Sequence, residues 1–363
     1  MPANPVMSVD SHVYEPPDLW ATYMDVTFRD RAPRISREGN SDVFRVEGLP
    51  PANIGLHVGA GKDFTRMTSE VRFDEGHRGG WDAAARLKDM DADGIAVEAL
   101  YPSMCMRMWQ LRDTPYQYAC MRAYNDWMAD FAARVPTRLV GIGIISLADI
   151  DEAVRELRRT AAKGLRGACI PATAPDDRPF SSPVYDPFWR AAQELDMPLS
   201  LHTHTGTRPM VDSDFLASFA VVPFWIQRSI ATMISSAVFE RFPRLKVVSV
   251  ENDIGWIGTF LQRLDHAHER HGSWSGSTAR LKMRPSEYFH RQVYATFMDD
   301  LSGIKSRHEA GIGSLLWSSD YPHSASTWPH SQDVIGRLFA DVSTQEKQAI
   351  VYGNAAKLYR VGT

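Results

Sequence analysis

The sequence predicts an α/β fold and, within that class, a closed (β/α)8 barrel. Three observations carry the prediction. Eight short apolar, β-branched runs recur along the chain. Helix-like segments separate most of them. Most runs are continuously apolar rather than alternating, as strands covered on both faces require. Eight such units favour a closed barrel over an open sheet. No GxGxxG follows the first strand, which argues against a dinucleotide-binding sheet.

The runs are VMSVDSHV (6–13), GIAVEALYP (94–102), LVGIGIISL (139–147), GACIPA (167–172), PLSLHTHT (198–205), LKVVSVE (245–251), VYATFM (293–298) and SLLWSSDY (314–321). Between them, DAAARLKDMDAD (82–93) places apolar residues at helical spacing. DIDEAVRELRRTAAKG (149–164) opens with acids and closes with bases and Gly164, matching the helix dipole and a glycine terminus. SSAVFERFPRLK ends a helix before Pro243. STQEKQAIVYGNAAKLY opens with the capping-box pattern Ser343-x-x-Glu346. Two connections are too long for simple turns: residues 14–80 and 206–223. Both leave strand C-terminal ends, where barrel sites are built, so they are expected to wall or cover a pocket. The 363 residues are therefore read as one barrel domain with an insertion or lid at 14–80.

Composition narrows the function classes. The formal net charge is −4 with both signs interspersed, so no basic face for nucleic acid is expected. The cysteines Cys105, Cys120 and Cys169 show no CxxC spacing, which fits a reducing compartment. The N-terminus has no signal-peptide pattern, and no run approaching ~18 apolar residues is evident. The expectation is a soluble cytoplasmic protein acting on a small molecule, with a homodimer left open.

The chemistry is expected at the strand ends. Strand one ends with Asp10 and His12, an i, i+2 pair on one strand face. Strand five ends with His202 and His204, strand six with Glu251, strand eight with Asp320. In a barrel these six side chains converge on one mouth. Nitrogen and carboxylate donors on rigid strands suit a divalent transition metal, zinc first, with manganese or iron as alternatives. His204 and Glu251 would either help hold a second ion or assist proton transfer.

The same motifs, DSHVYEPPDLW, PLSLHTHTG, FPRLKVVSVENDIGWI and LWSSDYPHSASTWPHS, resemble the amidohydrolase superfamily across nearly the whole chain. The nearest branch is amidohydrolase-2, which contains aminocarboxymuconate-semialdehyde decarboxylase and related enzymes. The resemblance implies a distorted (β/α)8 barrel with Asp10, His12, His202 and Asp320 at the metal. The chain departs from that pattern twice. Glu251-Asn252-Asp253 stands where decarboxylases of the branch commonly carry a histidine, and His204 replaces a small residue.

The departure at Glu251 makes a metal-dependent hydrolase the leading expectation. A metal-activated water would attack an amide, ester, thioester or diketone-like C–C bond, with Asp320 accepting its proton. The alternative is non-oxidative decarboxylation of an aromatic or unsaturated acid. Other residues receive plainer readings. His323 is expected to serve its turn, and Glu15 to anchor the insertion or reach the mouth. His266, His268 and His271 in LDHAHERH lie in a helical pattern and should be solvated. YPSMCMRMW (101–109) is expected to pack the core or line a pocket. Arg66, Arg208 and Arg228 are candidates for binding a substrate carboxylate.

Overall fold

The computed structural model describes residues 4–206 and 214–362, apart from the side chain of Arg66. Eight strands run through it: β1 (Met7–His12), β2 (Val97–Tyr101), β3 (Leu139–Ile144), β4 (Gly167–Pro171), β5 (Leu199–His202), β6 (Val247–Val250), β7 (Val293–Phe297) and β8 (Leu315–Trp317). Each falls inside one of the eight predicted runs. They pair in chain order, every pair parallel. The seam between β1 and the end of β8 is joined by backbone bonds. Asp320 N donates to Asp10 O at 2.8 Å and His12 N to Tyr321 O at 2.7 Å. Ser319 N adds a bond to Ser8 Oγ at 2.9 Å. This seam carries the predicted site residues Asp10 and His12 on one side and Asp320 on the other.

Nearly every strand residue is buried, because helices cover the outer face and side chains fill the interior. The interior layer includes Met7, Val9, Val97, Tyr101, Ile142, Cys169, Val248, Val250 and Leu316, with Leu358, Tyr359 and Val361 from the C-terminal segment packed into the same cluster. Tyr101 Oη lies 2.8 Å from Ser200 Oγ within it. The predicted helix at 149–164 spans Ile150–Ala162, with the Asp149 side chain accepting from Glu152 N. At the predicted capping box, the Ser343 side chain accepts from Glu346 N.

The segment 14–80 folds into short turns and a three-stranded antiparallel sheet, Arg34–Glu38, Ser41–Arg45 and Ala52–Asn53. Its Trp20, Phe44, Ile54, Val58 and Val71 join the same hydrophobic cluster as the barrel's helices. The second long connection contains a helix, Phe215–Val221, followed by Pro223–Ser235. This corrects the expectation that no apolar stretch reaches spanning length, since Phe215–Ser235 does so by length and composition alone. Its second half packs Ile226, Ile230, Met233 and Ile234 into the core, while Phe215, Leu216, Phe219 and Phe224 stay exposed.

Candidate metal centre

β1 brings Asp10 and His12 to the mouth, helped by an irregularity in its pairing with β2 between Ser8 and Ser11. Both side chains are fully buried. His12 Nδ1 donates to Pro102 O at 2.9 Å. That bond fixes the tautomer and turns the Nε2 lone pair inward. His202, the last residue of β5, does the same through Nδ1 to Thr203 O at 3.0 Å. The two Nε2 atoms then face each other 3.3 Å apart. Two inward lone pairs at that distance require a cation or a proton between them.

Carboxylates complete the ring of donors. Asp10 Oδ1 lies 3.3 Å from His12 Nε2 and 3.6 Å from His202 Nε2. Glu251 Oε2 lies 3.5 Å from His202 Nε2, and Asp320 Oδ1 lies 3.4 Å from His12 Nε2. Donors about 2.1 Å from a shared ion stand about 3.0–3.4 Å apart, so these spacings fit one divalent ion with little movement. One donor atom each from Asp10, His12, His202 and Glu251 lies within 4.8 Å of the others, and a second such group joins His12, Glu251, Asp320 and His323. Both oxygens of Asp10 and both of Asp320 are buried without a hydrogen-bond partner. Buried carboxylates left so are costly unless something positive completes them. The residues present therefore fit a metal ion.

The electrostatics separate the two aspartates. Burial pushes the Asp10 carboxyl up, but contacts with His12 and His202 outweigh it and hold the group well below the usual range. Asp320 has no such relief. Burial, then the charges of Glu251 and Asp10, push it well above that range. Glu251 is pushed up to about 7, by burial and by Asp10 and Asp253 against the pull of His202. Glu251 and Asp320 both sit in the left-handed region, at φ 59° and 56°. Such backbone costs roughly 1–3 kcal/mol at a non-glycine residue and collects at functional turns.

His204 departs from the expected geometry. β5 ends at His202, and His204 is in a turn at φ 59°. The two histidines therefore do not share a strand face, and His204 belongs to neither donor group. Its exposed ring borders a small cavity with Glu251, Asn252 and Phe219.

Several neighbours were less legible. His323, read from sequence as a turn residue, puts Nδ1 3.0 Å from Asp320 Oδ1 and stacks on His12 with ring centroids 3.8 Å apart. Its Nε2 lies 2.8 Å from Ser103 Oγ. Arg86 is fully buried, pairs with Glu98 at 2.5 Å and donates to the carbonyl of His12 at 2.6 Å. It thus braces the strand end that carries a donor. Glu15 accepts the backbone N–H groups of Ser103, Met104 and Cys105 and anchors that loop. His268 bonds Ser277 Oγ at 2.9 Å on the helix Ile257–Ser275, and its neighbours His266 and His271 are exposed. Arg228 lies 3.8 Å from Asp176. Arg208 and the Arg66 side chain lie outside the described residues. Of the methionine-rich stretch, Met104, Cys105 and Met108 are buried. Trp109 instead helps wall a cavity of about 170 Å³ with Leu111, Phe180 and Tyr185, beginning at Gly206.

Comparison with known proteins gives this geometry a context. A family model described as amidohydrolase matches residues 9–361. The chain is 26% identical over 300 residues to a gamma-resorcylate decarboxylase from a Polaromonas species, covering 76% of this chain and 86% of that one. Its fold is similar to the crystal structure of an amidohydrolase from Mycobacterium avium subsp. paratuberculosis, with a TM-score of 0.78 and 22% identity over 99% of this chain and 98% of the other. It is also similar to a dihydroxybenzoic acid decarboxylase from Polaromonas, solved with manganese and the inhibitor 2-nitroresorcinol. There the TM-score is 0.67 and the identity 20%, over 99% and 98% of the two chains.

Proposed function

The chain belongs to the amidohydrolase family, and from that premise we propose that it is a metal-dependent, non-oxidative decarboxylase of a hydroxylated aromatic acid. The curated relatives are named as decarboxylases. The hydrolase expected first from the sequence has no such support, and the alternative takes its place. Manganese, present in a relative's structure, is the first metal to test, ahead of the expected zinc.

Asp10, His12, His202 and Glu251 would hold the ion. When bound, it supplies a Lewis acid and a point of attachment for the oxygens of the substrate. The remaining work falls to the chain. His12 and His202 are held in the metal-binding tautomer by Pro102 O and Thr203 O. Asp10 stays ionised between the two imidazoles. Asp320, buried beside the donor set, is placed to carry the proton that the reaction needs. As the bond between ring carbon and carboxylate breaks, its electron pair stays on the ring carbon. The Asp320 proton goes to that carbon, and CO₂ leaves. The aromatic wall of Trp109, Phe180 and Tyr185 suits a flat ring.

One observation carries the choice of reaction: the relatives that match most of this chain are named as decarboxylases. The sequence assigned Asp320 as a proton acceptor. It lies fully buried beside the donor set, with His323 Nδ1 3.0 Å from Oδ1, and in a decarboxylase it would deliver a proton instead. Decarboxylation needs a donor at carbon, whereas water activation needs an acceptor.

The test is product analysis of manganese-loaded protein with 2,6-dihydroxybenzoate and related hydroxybenzoates in D₂O. The expected result is released CO₂ and one deuterium at the vacated ring carbon. Product carrying water-derived oxygen from an ester or amide, with no CO₂ from any aromatic acid, would restore the hydrolase.

A further inference from the structure

The seam between β1 and β8 is closed differently from the rest of the barrel. Every other junction is a parallel strand ladder. β8 ends at Trp317, so Asp320 lies beyond its ladder. Past that point Asp320 N donates to Asp10 O and His12 N to Tyr321 O. A buried polar network surrounds these bonds. The hydroxyls of Ser8, Ser11 and Ser319 stand 2.8–3.3 Å from one another. Ser11 Oγ donates to Glu98 Oε1 at 3.2 Å, and Glu98 Oε2 accepts from Arg86 Nε at 2.5 Å.

Arg86 is the centre of this network. It sits on the helix Ala83–Ala92 and is fully buried. Its Nη1 donates to His12 O at 2.6 Å and to Gly79 O at 3.3 Å, and its Nη2 to Tyr321 O at 3.4 Å. Its guanidinium carbon lies 4.6 Å from the centroid of the Tyr321 ring. Asp89, three residues on along the same helix face, accepts from Tyr321 Oη at 2.5 Å. The helix therefore holds Tyr321 at its carbonyl, its ring face and its hydroxyl. Tyr321 directly follows Asp320. One rigid fork thus spans the two segments whose side chains stand 3.4 Å apart, His12 Nε2 and Asp320 Oδ1. A buried ion pair adds little net stability over apolar side chains of the same volume. What this pair supplies that apolar packing lacks is direction: donors aimed at two carbonyls beside the donor set.

We infer that Arg86, with Glu98 as its counter-charge, is a positioning residue for the metal centre. By tying His12 to Tyr321 it fixes the spacing of His12 and Asp320, and with it the affinity and symmetry of the ion site. Arg86 belongs to neither donor group and acts through those two residues. The inference concerns the ion and not the reaction, so it stands apart from the decarboxylase reading.

The test is manganese titration of the full chain followed by electron paramagnetic resonance. The free-ion signal reads affinity, and the bound signal reads the symmetry of the ligands. Circular dichroism and urea unfolding without metal establish first that each variant is folded. Arg86→Met/Glu98→Leu removes both charges and strands neither, so it should unfold near the wild-type midpoint. Its manganese affinity should nevertheless fall by about tenfold or more, as for other groups that orient metal ligands, and its bound spectrum should change. Arg86→Lys keeps a charge beside Glu98 but cannot hold both carbonyls from one fork, so its affinity should lie between. A folded double variant with wild-type affinity and spectrum would reduce Arg86 to packing and overturn the inference. Should the double variant not fold, the lysine variant decides. Weakened binding with an altered spectrum supports the positioning role, and wild-type values overturn it. Binding lost in His202→Ala but unchanged in both Arg86 variants would keep the metal centre and remove Arg86 from it. A wild type that releases CO₂ from no aromatic acid would overturn the decarboxylase reading and leave these binding results standing.

Discussion

Asp300 and Asp320 follow neighbouring strands, β7 and β8, and both are buried. Their sequence settings, FMDD and WSSD, look alike. Asp300 accepts the backbone N–H groups of Ile254, Gly255 and Gly303 and the hydroxyl of Ser302. Asp320 takes no backbone or hydroxyl donor at either oxygen among the described residues, and only the His323 imidazole approaches it, Nδ1 at 3.0 Å from Oδ1. The first carboxylate is completed by the fold and holds loops together. The second is left for something that arrives from outside. A buried acid thus declares its role through the donors around it, and burial alone does not separate structure from chemistry.

The largest effect should come from removing the ion that Asp320 and its neighbours await. Chelation, or His202→Ala, should abolish metal-dependent turnover, a fall of at least about 10⁴. Metal content measured after dialysis should drop with it. Full metal occupancy and turnover in His202→Ala would show that the orphaned oxygens serve another purpose.

The two aspartates themselves give the next test. Asp320→Asn keeps an oxygen at the site but has no acidic proton. Turnover should fall by on the order of 10²–10⁴, with metal retained. Unfolding of the metal-free protein should be unchanged or later, since an unpaired buried carboxyl has been removed. Asp300→Ala should behave in the opposite way. It strips a helix cap and strands backbone donors, costing about 3 kcal/mol in urea unfolding. Turnover per folded molecule should hold. If both variants lost stability and activity alike, the distinction between the two strand ends would collapse.

Asp93 lies between these extremes. Among the described residues its carboxylate accepts only from Ser331, through N at 2.9 Å and through Oγ at 2.5 Å. Burial pushes it up to about 6 despite those bonds. A carboxyl raised on folding binds more protons in the native state than in the unfolded one. Its contribution to stability is therefore full below about pH 4 and lost as pH rises through about 6. One proton sets the ceiling at about 1.4 kcal/mol per pH unit. Urea titrations of wild type and Asp93→Asn between pH 4.5 and 7.5 isolate this group from the active-site acids. The stability difference, wild type minus variant, should decline with rising pH, and a flat difference would remove Asp93 from the titration.

The same logic explains what the sequence could show. The eight strands were legible because a strand covered on both faces must be apolar throughout, as in LVGIGI of β3. Asp10, His12, His202, Glu251 and Asp320 were legible as polar residues at the ends of such runs, which a barrel gathers at one mouth. Residues whose position depends on one loop meeting another were not. His323 and His57 come from two separate connections, and only their packing brings the two rings within 5.3 Å of each other beside His12. His204 failed for a local reason, since the strand ended two residues before it and the chain turned left-handed. The pairing of Asp300 with the backbone at 254–255 was hidden for the same reason as the contacts of His323 and His57.

The smallest effect should come from the other His-x-His of this chain. His266 and His268 share the spacing of His202 and His204 but lie on the helix Ile257–Ser275. Residues two apart on a helix point away from each other, so they cannot hold one ion. His266 is exposed, and His268 bonds only Ser277 Oγ at 2.9 Å. His266→Ala should therefore leave stability within about 0.5 kcal/mol. His268→Ala should lose no more than about 1 kcal/mol, the worth of one hydrogen bond. Neither should alter metal content or turnover. Loss of metal in either variant would mean that binding reaches the outer helices, and the contrast between orphaned and satisfied groups would no longer locate the site.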